Sequence, residues 1–242
     1  IISFVKDNKD EKLHYDHLIF ATDPVTPSKL IKDFKQDIEL DEIGTSGKVT
    51  AFFKNPVKWK ESNEYSDSFR FIFSNNNLNK FEEASQNALK NSGDYFAGFI
   101  QIYPDGSAQR TMNNKESYDK LILFTKNLSY DKKADDLDKV KDEIINTVLP
   151  YIENADDLVD SKFLTPKDLN KTFFFPKGNI DHITLTGKQN YNKRTFSKNP
   201  NNFYSYYDLK DVYYCGAGSF PCGSVAGTAG YMCSKQLIRN DH

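Results

Sequence analysis

Apolar residues occur in short runs along the chain, and the spacing within each run predicts its secondary structure. The first two runs, "IISFV" and "HLIFAT", are separated by the polar segment "KDNKDEKLHYD", which predicts a β-hairpin with a charged connection. Two prolines in "DPVTP" then interrupt the chain. The spacing of "SKLIKDF" predicts a short helix with Ser28 as its N-cap.

The middle of the chain is expected to form a mixed sheet with helices packed against it. The β-rich segments are "KVTAFFKN", "SFRFIFS", "YFAGFIQIY" and "KLILFTKNL". Between the second and third of these lies "LNKFEEASQNALKN", which has no β-branched residue and therefore favours a helix.

Two later helices carry clear local signals. Within 136–149, apolar residues recur at three- and four-residue steps and would share one face of a helix that ends at Pro150. A second start is predicted at "TPKDL", with Thr165 as N-cap, Pro166 in the first helical position and Asp168 in the third.

Charge and composition exclude some classes of protein. The 32 basic and 34 acidic side chains of the 242-residue chain are interspersed, which argues against a dedicated nucleic-acid binder. The mean hydropathy is −0.66, and no run approaches the roughly 18 apolar residues of a membrane span. We expect a soluble protein for which peripheral membrane contact stays open.

The cysteines and histidines do not predict a metal centre. The three cysteines, Cys215, Cys222 and Cys233, lack the CxxC spacing of zinc and thioredoxin-type sites, and the chain has only four histidines. Unpaired thiols favour a reduced, intracellular environment, cytoplasmic or organellar.

The segment "DVYYCGAGSFPCGSVAGTAGYMCSKQL" stands out because glycine and other small residues are concentrated in it. It predicts a strand, a glycine-rich loop and a helix, in which backbone N–H groups are accessible to a phosphate or a cofactor. The alternative is that these glycines serve helix–sheet packing and turn geometry. The spacing is not G-x-G-x-x-G, because the third glycine would fall at Pro221, and no Walker A sequence follows.

The same stretch resembles a known family. "VYYCGAGSFPCGSVAGTAG" is similar to the C-terminal signature of the phytoene desaturase-like FAD-dependent oxidoreductases. Three further segments, "DHLIFATDP", "LTPKDLNKTF" and "PKGNIDH", resemble motifs of that family in the same order. The resemblance extends from Asp16 to Gly230.

The resemblance implies an α/β (α+β mixed) fold in three segments. Residues 1–22 would be a hairpin of a Rossmann-like FAD-binding domain, 23–163 a mixed-sheet substrate domain with helices, and 164–242 a strand–loop–helix return to the FAD-binding domain. The family's N-terminal FAD-binding half is absent from this sequence. The chain is therefore expected to act with that half, in the same polypeptide or a separate chain, and to be inactive alone.

The implied activity is hydride transfer between FAD and an apolar small molecule. The alternative function is a non-catalytic binding or assembly module that has lost its cofactor. An exposed edge of the first hairpin would also favour self-association.

The resemblance also implies which residues contact the flavin through their backbone. These residues are Gly216, Ala217, Gly218, Ser224, Val225, Ala226 and Gly227. His182 aligns with a histidine of the family and is the one candidate for proton transfer, the alternative being a strand histidine bound by the backbone. The loop departs from the family pattern, which has a histidine and two glycines where this chain has Phe220, Cys222 and Ser224.

Three other groups of residues have two interpretations each. Cys222 is a nucleophile or, as we favour, an inert small residue. The aromatic residues of 173–175 and 202–207 line a substrate tunnel or fill a core. The basic residues Lys188, Lys193, Arg194 and Lys198 form a solvated face or contact phosphate or an anionic membrane.

Overall fold

The computed structural model describes most of the chain and divides it into two units. One unit consists of Ile1–Ile43 and Ile180–His242, and the other of Gly44–Asn179. The described residues are 1–34, 44–61, 68–73, 75–90, 96–104, 119–131, 134–184, 189, 193–221 and 227–240. The unit boundaries differ from those of the segments expected from the sequence, and the roles of those segments remain predictions.

The described elements confirm the mixed α/β class. The strands are β1 Ile2–Lys6, β2 Lys9–Leu13, β3 Leu18–Phe20, β4 Ser46–Phe53, β5 Arg70–Phe73, β6 Phe99–Pro104, β7 Asp119–Lys126, β8 Leu158–Leu164 and β9 Val212–Tyr214. The α-helices are α1 Thr26–Leu30, α2 Leu78–Leu89, α3 Ala134–Val148, α4 Pro166–Phe173 and α5 Thr228–Asn240.

The unit of residues 44–179 is built on one sheet with strand order β5-β6-β7-β4-β8. Every neighbouring pair of these described strands is antiparallel, so the prediction of a mixed sheet here is wrong. Burial alternates along β4 and β7, as expected of strands that cover a core with one face. The apolar face of α3 contributes Val140, Ile144 and Val148 to that core.

Strand β8 forms one edge of this sheet and is not predicted by the sequence pattern. The strand, "LVDSKFL", is mostly exposed and carries Asp160 and Lys162, which pair with Phe52 and Thr50 of β4. Charged residues are common on edge strands because they oppose pairing with another chain. An edge strand of this kind lacks the apolar alternation by which the inner strands were recognised.

Helix α4 begins as predicted. Thr165 is its N-cap, and its hydroxyl oxygen accepts a hydrogen bond from the Asp168 backbone N–H at 3.2 Å. The Asp168 carboxylate accepts in return from the Thr165 backbone N–H at 3.0 Å. This reciprocal pair is a capping box, which satisfies two N–H groups that the helix itself cannot.

The hairpin of the other unit differs from the prediction. Strand β1 pairs with β2 through a two-residue turn at Asp7 and Asn8, whose φ angles are 51° and 61°. Two consecutive positive φ angles are typical of the tight type I′ turn, which Asp and Asn tolerate well. The polar segment expected to be the connection therefore supplies the second strand, and "HLIFAT" supplies β3, which pairs elsewhere.

Ser28 is not the cap of α1, because the helix begins two residues earlier. The carboxylate of Asp23 accepts hydrogen bonds from the backbone N–H groups of Val25 and Thr26 at 2.8 and 3.0 Å. Ser28 lies inside the helix and donates from its hydroxyl to the carbonyl of Val25 at 2.7 Å. The N-cap position is Val25, whose side chain makes no capping hydrogen bond, and the Asp23 carboxylate supplies an acceptor at the helix start instead.

Tyrosines fill the core of this unit. Tyr206 and Tyr214 are almost fully buried with Phe20 and Val212, and Tyr204 and Tyr213 lie in a second buried cluster. Tyr204 and Tyr206 of the segment 202–207 are buried, as the core interpretation predicts, whereas Phe203 and Tyr207 are partly buried. The same interpretation is wrong for Phe173 and Phe174 of the unit 44–179, which are 51% and 74% exposed.

The capping box predicts the effect of a single substitution. Thr165→Ala removes the hydroxyl and should lower the free energy of unfolding by about 1 kcal/mol. Urea denaturation followed by the fluorescence of Trp59, which is buried in the same unit, measures the change. The matched control is Thr172→Ala on an exposed position of the same helix, which should be neutral or slightly stabilising. Equal losses in the two variants would contradict the role of the cap.

Candidate functional site

The candidate site lies where strands β3 and β9 end. The two strands are parallel neighbours, with Leu18 opposite Val212 and Phe20 opposite Tyr214. Parallel strands end at the same edge, so the 21–24 turn after β3 and the glycine loop after β9, residues 215–221 as described, leave the pair side by side. The backbone N–H of Cys215 donates to the carbonyl of Phe20 at 2.9 Å and extends the pairing into the loop.

The close approach of these two segments explains glycine at two positions. A Cβ atom at Gly216 would lie 2.0 Å from the carbonyl oxygen of Thr22 and 2.8 Å from the hydroxyl of Tyr214. A Cβ atom at Gly218 would lie 2.7 Å from the same hydroxyl and 3.2 Å from the ring of Pro24. The packing of the protein itself therefore requires both glycines.

The tyrosine hydroxyls that line this contact are bound within the protein. The hydroxyl of Tyr214 accepts a hydrogen bond from the backbone N–H of Gly218 at 3.2 Å. The hydroxyl of Tyr206 donates to the carbonyl of Pro24 at 2.9 Å. Burial is the main cause that raises the pKa of both tyrosines above the usual value, so both hydroxyls stay protonated and serve as hydrogen-bonding groups.

Most backbone N–H groups of the glycine loop are used inside the protein. Besides Cys215 and Gly218, Ser219 donates to the carbonyl of Gly216 at 3.0 Å, and Phe220 donates to the carbonyl of Arg194 at 3.3 Å. Within the described residues, the N–H groups of Gly216 and Ala217 donate no hydrogen bond. Gly216 is buried and Ala217 is partly exposed, so the N–H of Ala217 is the donor that the described part of the loop presents to a ligand.

Arg194 is buried beside this loop, so its assignment to a solvated basic face is wrong. It is 2% exposed, whereas Lys193 and Lys198 are exposed and Lys188 lies outside the described residues. Its guanidinium donates to the carbonyl oxygens of Ala217 at 3.0 Å, of Asp181 and Thr184 at 3.3 Å, and of Ile183 at 3.5 Å. The planar guanidinium has five N–H donors, which lets one side chain bind two segments of chain.

His182 lies in the segment that Arg194 binds, and it is not in a strand. Its φ angle is 65°, and its side chain is 8% exposed. Burial is the main cause that lowers its pKa; the carboxylates of Asp23 and Asp181 act in the opposite direction, and Arg194 lowers it further. His182 is therefore neutral at pH 7 and near the charged groups of the site.

The outer part of the glycine-rich segment has different surroundings. Gly227 has a φ angle of 71°, which favours glycine, and no described atom lies within 4 Å of a Cβ built there. Gly230, in the first turn of α5, also has open space at its Cβ position among the described residues. Packing within the described residues thus does not explain Gly230. The predicted contacts at Ser224, Val225 and Ala226, and the thiol of Cys222, lie outside the described residues.

A cleft of about 420 Å³ lies beside the loop. Phe220 belongs to the glycine loop and forms one wall of the cleft with Phe203, Tyr204 and Met232. Gln236 and Arg239 of α5 supply part of its polar lining. The backbone N–H of Tyr204 donates to the Gln236 side chain at 3.1 Å, which fixes the wall in place.

No model of a known protein family matches this chain. Among the described residues, no helix is both long and apolar enough to cross a membrane. The described side chains also contain no group of three or more His, Cys, Asp or Glu that could hold a metal ion.

Replacement of glycine by alanine should change the stability in opposite directions at the packed position Gly216 and at the open position Gly230. Gly216→Ala should lower the free energy of unfolding by about 1–3 kcal/mol, because the Thr22 carbonyl must move. Gly230→Ala should raise it by up to about 1 kcal/mol, because alanine is the better helix former and the space is open. Urea denaturation followed by near-ultraviolet circular dichroism of the tyrosines tests both variants. A neutral Gly216→Ala would contradict the packing argument.

The buried guanidinium of Arg194 gives a second prediction. Arg194→Met should destabilise the protein by about 3 kcal/mol, because several buried carbonyl groups lose their donor. Arg194→Lys should recover little, because one ammonium group cannot reach both segments. Lys193→Met, at the exposed neighbouring position, is the matched control and should be neutral within error in the same denaturation experiment. Full recovery by lysine would show that charge alone is sufficient.

Proposed function

We propose that this chain is the C-terminal portion of an FAD-dependent oxidoreductase that transfers hydride between flavin and an apolar small molecule. The observation that carries the proposal is the parallel pairing of β3 with β9. It brings two segments that resemble family motifs, "DHLIFATDP" and "VYYCGAGSFPCGSVAGTAG", to one sheet edge. Cofactors of α/β proteins bind at the carboxyl ends of parallel strands.

The residues that would hold the cofactor fit a backbone donor site. Ala217 is partly exposed and offers its N–H group, and the N–H of the buried Gly216 precedes it in the chain. The first turn of α5 would contribute further N–H groups and the positive end of its dipole. The buried charge of Arg194, bound to the Ala217 carbonyl, adds positive potential beside the same loop.

Bound FAD would supply the redox chemistry, since its ring accepts or donates hydride. The chain would orient the cofactor through backbone donors held in place by Arg194 and Tyr214. His182 is neutral at pH 7 and is the candidate proton carrier of the described residues near the loop. The partner required for activity is the N-terminal FAD-binding half, in the same polypeptide or in a separate chain.

The apolar nature of the substrate is part of the same proposal. The cleft beside Phe220 has three aromatic side chains and Met232 in its walls together with polar residues, and it is of a size that accommodates a small ligand. This observation and the family resemblance support an apolar class of substrate. They do not identify an individual compound.

A non-catalytic binding or assembly module is the second candidate function. It is favoured by the packing of Gly216 and Gly218, because the protein needs both glycines without any ligand. The loop also has Phe220 where the family has a histidine. A fold that kept the loop for packing would preserve these features after the cofactor was lost.

The test is an absorption spectrum of the chain purified natively with the polypeptides that accompany it. We expect visible flavin bands, or their appearance after FAD is added and excess FAD is removed. Gly230→Ala should reduce the bound flavin several-fold while leaving the thermal stability unchanged or higher, because its methyl group occupies the approach to α5. Lys235→Ala, on the same helix at an exposed position, is the control and should retain flavin.

One outcome separates the two functions, and another tests where the cofactor approaches. A colourless complex that contains the N-terminal half and takes up no FAD would reject the oxidoreductase proposal and favour the non-catalytic module. Flavin that binds equally well to Gly230→Ala would show that the cofactor does not approach the first turn of α5.

A further inference from the structure

Two cysteines lie in one apolar cluster next to the glycine loop. Cys215 directly follows β9 and is half-buried, and Cys233 lies in the second turn of α5 and is 1% exposed. The side chain of Cys215 packs against the cluster to which Cys233 belongs. Both side chains belong to the same apolar cluster, with Tyr204, Tyr213 and Leu237.

The contact makes the two thiols chemically unequal. The hydrogen bond from Cys233 lowers the pKa of Cys215 to about 7, in spite of partial burial. The same bond and burial raise the pKa of Cys233 far above the usual value. Cys215 is therefore substantially ionised at neutral pH, and the thiolate is the nucleophilic form of cysteine.

We propose that Cys215 and Cys233 form a redox modification site, in which a small-molecule disulfide converts the pair into an intrachain disulfide. The geometry supports this pairing because the packing of α5 against the end of β9 places both side chains in one cluster. The accessible member of the pair is also the more acidic one, as an attacking thiol requires. The proposal depends on these two side chains and not on flavin binding.

The reaction is a pair of exchange steps. The Cys215 thiolate attacks one sulfur of the small-molecule disulfide, whose S–S bond breaks and releases one thiolate. Cys233 then loses its proton to that thiolate or to water and attacks the Cys215 sulfur, which expels the second thiolate. The protein dithiol loses two protons and two electrons, and the small-molecule disulfide is reduced to two thiols.

The disulfide would act on the candidate site through the loop between the two cysteines. It would join the end of β9 covalently to α5 and close the segment that contains Ala217 and Gly227. Cross-linking reduces the conformational freedom of the unfolded chain and of any partly opened state. Oxidation should therefore limit how far the end of β9 and α5 can separate.

The experiment uses the full chain with Cys222→Ala, which leaves only this pair of thiols. The reduced protein is equilibrated with mixtures of reduced and oxidised glutathione, quenched with acid, denatured and alkylated with iodoacetamide. Trypsin then releases 211–235 as one peptide, because no Lys or Arg lies between Lys210 and Lys235. We expect an unalkylated peptide lighter by two hydrogens, together with a melting temperature above that of the reduced protein.

Three results would overturn the proposal. The first is a peptide with two alkyl groups after oxidation, and the second is a stable glutathione adduct on Cys215 beside a free Cys233. The third is an oxidised protein that gives the lighter peptide only after it has been unfolded.

A matched variant tests the role of Cys233 in activation. In Cys222→Ala with Cys233→Ala, Cys215 loses its hydrogen-bond donor, and glutathione should stop at the mixed disulfide. The midpoint of the pH profile for alkylation of Cys215 should also move from about 7 towards the ordinary thiol value. The pKa of Cys215 should rise because a hydrogen-bond donor stabilises the thiolate, and the loss of that donor favours the protonated thiol. An unchanged midpoint would contradict the contact.

Discussion

The position of the glycine loop depends on the buried guanidinium of Arg194. A cation removed from water must be met by acceptors, and here backbone carbonyls of 181–184 and of Ala217 meet it. The carbonyl of Arg194 also receives the N–H of Phe220. The side chain of Arg194 therefore binds the loop at Ala217, and its backbone carbonyl binds the loop near the end of the described part.

The glycine-rich segment combines two constraints that look alike in a sequence. Gly216 and Gly218 are needed because a neighbouring turn and the Tyr214 hydroxyl occupy the space of a side chain. Gly227 is favoured by its backbone conformation, and Gly230 has open space beside it among the described residues. Of these four glycines, only the outer pair has no neighbour from the described residues within 4 Å of a Cβ position. A motif of this composition is thus compatible with a cofactor site and with a packed loop, and the distinction requires the distances.

The sequence predicted features that depend on neighbouring residues and missed those that depend on distant ones. Helix α3 and the capping box at Thr165 were correct because their signals span a few residues. The parallel pairing of β3 with β9 joins positions almost two hundred residues apart, as Phe20 and Tyr214 illustrate, and neither segment alone indicates its partner. Arg194 was misassigned because its neighbours, Lys193 and Lys198, are exposed as expected, and nothing local indicates that only the arginine is buried.

The inner and outer faces of the site also separate the two candidate functions. The inner face is filled by Thr22, Pro24 and Tyr214, so it serves stability whether or not a cofactor binds. Any cofactor must therefore approach from the side of Ala217 and the first turn of α5. At the base of that same segment, Cys215 packs against the apolar cluster that contains Cys233 of α5. A disulfide there would preserve the inner packing and act only on the freedom of the outer face, where a ligand would bind.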